Sequence, residues 1–514
     1  VYLGVDSKSA YHIHHPALEG AQVNIKYLTG EPKPTIITEL LEVDGFFKYT
    51  VHNDGIETAK RAVFERVYLA NGKPPPKVDG ETFYKLTRES SRRLKKYLKT
   101  CHPMRKEDFP SSYRDARRRK IYTKAVESLE FRPITWKDSY ISGFVKKEKI
   151  CITLKPDPAP RLIQPRSPRY NVELGVYIKP AENLVYDAIS ELFGGRTVAK
   201  GLNALERGNL IAEKWNSLKD PVAIGIDARR FDQHVRKEAL KMEHAIYKHL
   251  YRSATREERD RLAWLLSMQL QTTGFVNTPD GTLKYKVEGG RCSGDMNTSL
   301  GNVLIMCLAV DSWATSVGLR GKAHFINDGD DGVIFMERED LAKAGTLPAF
   351  FKKLGFNMKV EEPAYYLEDV EFCQCRPVAT VDGYKMVRSI GKMIGKDTLT
   401  WKEIDNEKYW NAYRLAISKG GLALAGDIPV ASAFYRMLGR GAGTRAAEIP
   451  MSGMMYLARG MQERKEITAE TRASFCLAFN CTPDEQRSLE AKFDSMNPTW
   501  AHATAPLKVS QIIR

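Results

Sequence analysis

No Cys-x-x-Cys pair occurs in the 514 residues, although eight cysteines are present, at 101, 151, 292, 307, 373, 375, 476 and 481. Zinc-site spacing is therefore absent, and reduced thiols in a cytosolic setting account for the set. Long apolar runs are missing too. The longest, Val303 to Val310, is far short of the roughly 20 residues that cross a bilayer. The start is polar, without the charged-then-apolar layout of a signal peptide. It opens on valine rather than methionine, as we expect of the downstream part of a longer product. Acidic residues are in deficit, 63 against 79 Lys and Arg, which leaves a net charge of +16. Such a balance points to a polyanionic partner, nucleic acid ahead of an anionic membrane surface. The length and the 43% hydrophobic content allow about two to four lobes with substantial cores.

The most informative stretch is Ala323-His-Phe-Ile-Asn-Asp-Gly-Asp-Asp-Gly-Val-Ile-Phe335. Short apolar runs around a Gly/Asp/Asn cluster predict a β-hairpin whose turn lifts Asp330 and Asp331 to its tip. Asp-Gly turns are common for conformational reasons alone, so the site reading depends on what accompanies them. Two adjacent carboxylates repel, and Mg²⁺ or Mn²⁺, which prefer oxygen ligands, would relieve them.

Several other segments carry chemistry. Asn71-Gly-Lys-Pro-Pro-Pro-Lys77 reads as a stiff connector. Between Lys85 and Lys120 stand 14 Lys/Arg against 4 Asp/Glu, ten of the sixteen net charges. Arg92, Arg93 and Lys96 ride a helical pattern, and Arg117, Arg118, Arg119 and Lys120 follow. This concentration favours phosphate contacts over a merely solvated face. Prolines at 156, 158, 160, 165 and 168 hold the next basic segment extended, so that Lys155, Arg161 and Arg166 project as fixed cations suited to phosphate. Pro221 to Asp227 reads as a buried strand delivering a carboxylate, with Asp232 five residues on. His234 fits packing better than general-base work.

Lys237 to Gln271 is expected to be helical. A glycine-rich loop with Ser293 then leads into an apolar helix on which Thr298 and Asn302 share one face. Capping by Ser293, Asp295 or Asn297 would explain the start of that helix but not Asn302. Leu341 to Leu354 reads as a helix, Phe356 to Glu362 and Val370 to Val378 as strands, with Cys373 and Cys375 on one face. From about 400 onward the pattern is helical, and Thr482-Pro-Asp-Glu485 is a capping box.

Together these pieces resemble the viral RNA-dependent RNA polymerases, in particular the replicases of the tombusvirus and carmovirus group of positive-strand plant viruses. The resemblance covers residues 144 to about 378, motifs in order. Lys155-Pro-Asp-Pro-Ala-Pro-Arg-Leu-Ile-Gln-Pro-Arg166 is similar to the family's motif at the nucleotide entrance, and Lys200-Gly201-Leu-Asn203 to its template loop. Asp227-Ala-Arg-Arg-Phe-Asp232, Ser293-Gly-Asp-Met-Asn-Thr-Ser-Leu-Gly-Asn302 and Gly329-Asp-Asp331 resemble the three central palm motifs, and Glu371-Phe-Cys-Gln374 the strand pair at the primer end. Arg229 departs from the small residue expected there.

The resemblance implies an α+β right hand: an N-terminal extension (1–73), fingers (74–220), palm (221–235), a fingers insertion (236–285), more palm (286–380) and a mostly helical thumb (381–514). It implies two Mg²⁺ or Mn²⁺ ions on Asp227, Asp330 and Asp331. Ribose would be selected by Asp232, Thr298 and Asn302 with Ser293, and the triphosphate held by Arg161 with Lys155 and Arg166. Lys359 would serve as the acid for pyrophosphate. RNA would run past Arg92, Arg93, Lys96, Arg117 to Lys120, Lys200 and Gly201. Implied partners are viral RNA template and nascent strand, nucleoside triphosphates, a shorter membrane-anchored replication protein, host factors and a second copy of the chain, at organelle membranes in the host cytoplasm. A reverse transcriptase shares the palm chemistry, and a non-catalytic RNA-binding protein shares the charge. Asp232 with Asn302 favours the ribonucleotide enzyme.

Overall fold

The computed structural model describes residues 2–43, 47–449 and 453–500. At its centre lies an antiparallel sheet of four strands: β1 (Pro221–Ala228), β2 (His324–Asp328), β3 (Asp331–Glu337) and β4 (Met358–Val360), ordered β2-β3-β1-β4. Residues alternate sides along a strand, and both sides of this sheet are covered. Val222, Ile224 and Ile226 join Ile334 and Met336 in the largest core, while Ala223 joins Val333, Phe335 and Ile326 in a second. That double burial is why β1 reads as an unbroken apolar run.

The largest core is completed by helices α1 (Gly80–Tyr97), α2 (Ala116–Phe131) and α3 (Pro168–Phe193). Helix α4 (Ala204–Asn216) covers the other side of the sheet. Helices α5 (Lys237–Leu250) and α6 (Thr298–Ser316) return to the first side. α6 is buried from Leu300 to Ala314, which explains its lack of a polar face. The fold is thus a mixture of helices with antiparallel sheet, the α+β class expected.

Residues 1–73 do not stand apart. Gln22–Tyr27 pairs with Gly281–Glu288 at the edge of a five-stranded sheet that also holds Gln271–Thr278, Ile141–Val145 and Leu162–Ile163. Ile36–Glu39 pairs with Leu399–Thr400. The first segment therefore spans from the middle of the chain to its final third. The sequence also suggests a strand from Phe46 to Val51; Tyr49–Thr50 is formed, and Phe46 lies outside the described residues.

Several local expectations are corrected. Lys237 to Gln271 is two helices, because Thr255 opens a capping box with Glu258 and starts a new one at Arg256–Ser267. Leu341 to Leu354 begins as 3₁₀ turns over Arg338–Thr346, and an α-helix forms only at Leu347–Lys353, where Pro348 occupies the first turn. Phe356 to Glu362 narrows to the three residues of β4. Val370 to Val378 becomes a strand only from Cys375, because Cys373 and Gln374 adopt φ of 51° and 61° in a tight turn closed between Phe372 and Cys375. Cys373 and Cys375 therefore share no strand face. At Thr482 the side chain caps Glu485 N as expected, but no reciprocal bond from Glu485 closes the box.

The β2–β3 hairpin is held down by Phe325, 1% exposed, whose ring centroid lies 5.7 Å from that of Phe193 on α3. Phe325→Ala should cost about 3–5 kcal/mol of stability, measured by chemical denaturation. A loss below about 1 kcal/mol would show that the hairpin is anchored elsewhere.

Candidate active site

Asp328 and Asp331 face each other across the hairpin, leaving Gly329 and Asp330 as a two-residue loop. Gly329 has φ of 71°, the positive value a type II′ turn requires at its first loop position. The buried Asn327 side chain braces the turn, donating to Gly329 O at 2.8 Å and Asp331 O at 2.9 Å. On the next strand Asp227 is opposite Asp331, and beyond it Lys359 on β4 is opposite Asp227. Directly opposed residues share a face. The end of the sheet therefore carries the row Asp328, Asp331, Asp227, Lys359, with Asp330 at the adjoining tip.

Charge crowding dominates this row. Burial pushes the Asp331 carboxyl up to about 7, reinforced by Asp330, Glu361, Asp328 and Asp227. Burial also raises Asp330, opposed by its own backbone N–H and by Arg161. At Asp328 burial is outweighed by Lys200, 2.6 Å away, and Arg207, 2.9 Å away, which hold it below the ordinary carboxylate range. Lys200 arrives there because residues 197–199 run along β2, with Ala199 N donating to Asn327 O at 2.8 Å.

Asp227, Asp330 and Lys359 open into a cavity of about 1110 Å³ that also takes in Lys155, Arg161, Asp232, Ser293 and Asn302. Arg161 is largely exposed, 3.5 Å from Glu148. Burial pushes Asp232 up to about 6, against a hydrogen bond from Asn302 Nδ2 to its Oδ1 at 2.9 Å.

Other expected site residues are differently placed. Arg166 is enclosed: its Nε meets Asp295 Oδ1 at 2.5 Å and its Nη1 donates to Ser139 O at 2.7 Å, so its guanidinium serves the scaffold and not a phosphate. Thr298 does not border the cavity, and its hydroxyl donates to Cys292 O at 2.5 Å, closing the glycine-rich loop. Ser293 ties that loop to residues 162–164 by accepting from Gln164 N and donating to Leu162 O. α6 starts without a side-chain cap, so capping does not explain its polar residues.

Arg92 and Lys96 are exposed on α1, whereas Arg93 pairs with Asp311 of α6 at 2.9 Å. Arg117, Arg118, Arg119 and Lys120 all lie exposed on the first turns of α2. Gly201 N donates to Tyr456 Oη at 3.0 Å. His234 is buried with its ring nitrogens near Arg230 O and Asn357 Nδ2, a hydrogen-bonding residue as read from the sequence.

The sequence alone did not single out Asp328, although strict alternation from Asp331 across a two-residue turn would have found it. Arg61, Arg66 and Arg230 left no local signal. Arg61 holds Asp157 at 2.7 Å, Arg66 donates to Ala159 O at 2.7 Å, and Arg230 donates to the Glu65 and Leu69 carbonyls. The Arg61 and Arg66 contacts fasten the proline-rich loop to the first 70 residues, and Arg230 fastens the end of β1 to the same segment.

Among the described residues no three His, Cys, Asp or Glu side chains are gathered so as to hold a metal ion alone. The donor set nevertheless fits Mg²⁺ or Mn²⁺, which take one or two carboxylates and complete their shell with water and phosphate oxygens. Mutually repelling carboxylates at a cavity wall are such a partial shell.

The crowding sets a pH dependence in protein stripped of divalent ions. A carboxyl raised in the folded state keeps its stabilising proton below the unfolded value near 4 and loses it as pH climbs to about 7. The contribution of Asp331 to stability should therefore fall between about pH 4 and 7, so the stability–pH curve of Asp331→Asn should fall less over that range than that of wild type. Parallel stability–pH curves for the two proteins would contradict the assignment.

The viral RNA dependent RNA polymerase family model matches residues 26–501. The chain is 38% identical over 476 residues to the RNA-directed RNA polymerase of Tobacco necrosis virus (strain D), covering 90% of this chain and 65% of that protein. It is 37% identical over 493 residues to the Turnip crinkle virus enzyme (93% and 62%) and 41% identical over 462 residues to that of Cymbidium ringspot virus (87% and 54%). The chain thus spans between about half and two thirds of the length of these relatives. With the carboxylate row on one sheet and the family model matched over most of its length, the chain belongs to the viral RNA-dependent RNA polymerase family.

Proposed function

We propose that this chain is the polymerase portion of a plant-virus replicase and joins ribonucleoside triphosphates along an RNA template. The observation that carries this reading is a single cavity bordered by Asp227 and Asp330, by Arg161, and by the linked pair Asp232–Asn302. Hydrolysis of phosphate esters needs only the first of these. Template-directed synthesis needs the triphosphate and sugar contacts as well.

In this reading the four-stranded sheet is the palm, residues 74–220 and 236–285 are the fingers and 381–514 the thumb, with 1–73 strapping them together. Asp227 and Asp330, assisted by Asp331, would hold two Mg²⁺ or Mn²⁺ ions, which when bound activate the attacking oxygen and steady the leaving one. Arg161 grips the triphosphate, with Lys155 alongside. Asp232 and Asn302 meet the sugar hydroxyl, and Thr298 braces their loop. Lys359, next to Asp227 across the strands, is suited to give a proton to departing pyrophosphate. The exposed cations of α1 and α2 bind RNA backbone without sequence preference. The reverse transcriptase alternative is disfavoured because Phe231, the one aromatic among the described residues bordering the cavity, is 2% exposed and stacks on Phe356.

Among the described residues no helix is long and apolar enough to cross a membrane. Recruitment to organelle membranes is accordingly proposed to come from a membrane-anchored replication protein, with host factors and self-association in the assembled complex.

Asp330→Ala should abolish nucleotide incorporation on an RNA template while RNA affinity stays nearly unchanged in a filter-binding assay. Unchanged incorporation would refute the catalytic assignment. Charge reversal at Arg117, Arg118, Arg119 and Lys120 should weaken RNA binding at low salt and reduce the log–log salt slope by up to about 3, at roughly 0.7 per phosphate contact. Wild-type affinity at every ionic strength would remove this stretch from the RNA path.

A further inference from the structure

An asparagine amide offers an acceptor and a donor of nearly equal shape, so its surroundings must decide which end faces which partner. At Asn302 that decision is made by Arg291. Arg291 Nε donates to Asn302 Oδ1 at 2.9 Å, and Asn302 Nδ2 donates to Asp232 Oδ1 at 2.9 Å. Arginine has no acceptor, so the carbonyl must turn toward it and the amide toward Asp232. With the amide reversed, Asn302 would present a carbonyl to the carboxylate, acceptor against acceptor.

Arg291 is itself fixed from behind. Its Nη2 donates to Glu243 Oε1, and both side chains are 0% exposed. The other oxygen of Glu243 accepts from Tyr247 Oη at 2.5 Å and Asn297 Nδ2 at 2.6 Å. Arg291 N donates to Asp232 O at 2.8 Å, tying the loop to the residue it serves. Gly301 leaves the passage for this ion pair. A Cβ there would lie 2.3 Å from Arg291 Nη2 and 2.4 Å from Glu243 Oε2. Arg291 also borders the cavity, and its Nη1 is buried without a hydrogen-bond partner. An unmet buried guanidinium N–H beside a substrate cavity is costly unless a ligand acceptor meets it.

We propose that the Glu243–Arg291 pair is the specificity-determining support of sugar selection, with Arg291 the positioning residue that locks the Asn302 amide. The inference rests on the polymerase reading and deepens it. The locked pair offers one carboxylate oxygen and one amide N–H to a hydroxyl, which both donates and accepts. A 2′-deoxy sugar would leave both unpaired, the arrangement that gives strong discrimination.

Arg291→Lys keeps a positive charge opposite Glu243 but cannot bond Glu243 and Asn302 with the same planar fork. In primer extension on an RNA template, kcat/KM is compared for ribo- and 2′-deoxyribonucleoside triphosphates. The ribo-to-deoxy preference should drop at least about tenfold, with the ribonucleotide rate falling far more than the deoxyribonucleotide rate. Gly301→Ala, which displaces the pair without removing either charge, should move the preference in the same direction. Equal losses for both sugars, as a merely structural role would give, or an unchanged preference in both variants, would overturn the proposal.

The rise in Tm on adding each triphosphate gives a readout without turnover. The wild-type excess for the ribo sugar should shrink in Arg291→Lys, and an undiminished excess would also overturn the proposal. Wild-type protein that incorporates nucleotides without preferring ribose would overturn this inference alone. Wild-type protein that incorporates none, yet is stabilised more by the ribo sugar, would overturn only the polymerase reading.

Discussion

Like-charge repulsion at one end of the central sheet is the constraint around which the molecule is built. Strand pairing forces Asp328, Asp331 and Asp227 into one row, and the turn adds Asp330. No protein would gather these groups for stability, since each carboxylate raises the cost of ionising its neighbour. At one end of the row Lys200 and Arg207 are committed to Asp328 by ion pairs. Of the rest, Asp227 and Asp330 border the cavity and Asp331 lies beside them. That unmet demand for positive charge is the chemical capacity of the site, and it fits hard divalent cations arriving with a polyphosphate.

Holding such a row together requires support from outside it. The alternating faces of β1 and β3 send apolar side chains into two separate cores, so the sheet end is clamped from both sides. The basic loop opposite is held differently. Leu162 anchors it in a small apolar cluster with Val63 and Phe64, and Arg61 and Arg66 pin it through Asp157 and Ala159. The first 70 residues thus act as a brace between the proline-rich loop and the final third of the chain. Arg230, at φ of 51° just past β1, joins the same brace from the sheet side.

Features set by neighbours in sequence were legible in advance. The hairpin, the strand ending in Asp227 and the apolar helix carrying Asn302 follow from periodicity and turn chemistry, and the ordered motifs identified the family. What failed depended on partners far along the chain or on exact turn geometry. Arg166 reads as a phosphate ligand in sequence because nothing local reveals Asp295, 129 residues away, which claims it. Thr298 shares a helical face with Asn302, yet its hydroxyl closes a loop behind the cavity. Cys373 was assigned to a strand because apolar composition does not disclose two successive left-handed residues. The pairing of residues 22–27 with 281–286 lies beyond any pattern read from a window of sequence.

The central claim is that acidic groups from separate chain segments converge on shared metal ions. Its most direct test is a crystal structure of the protein soaked with Mn²⁺ and a non-hydrolysable ribonucleoside triphosphate, with the ions located by anomalous scattering. The account predicts manganese bound jointly by the carboxylates of Asp227 and Asp330, with triphosphate oxygens completing the shell. Manganese bound to only one of these residues, or found only elsewhere, would contradict it.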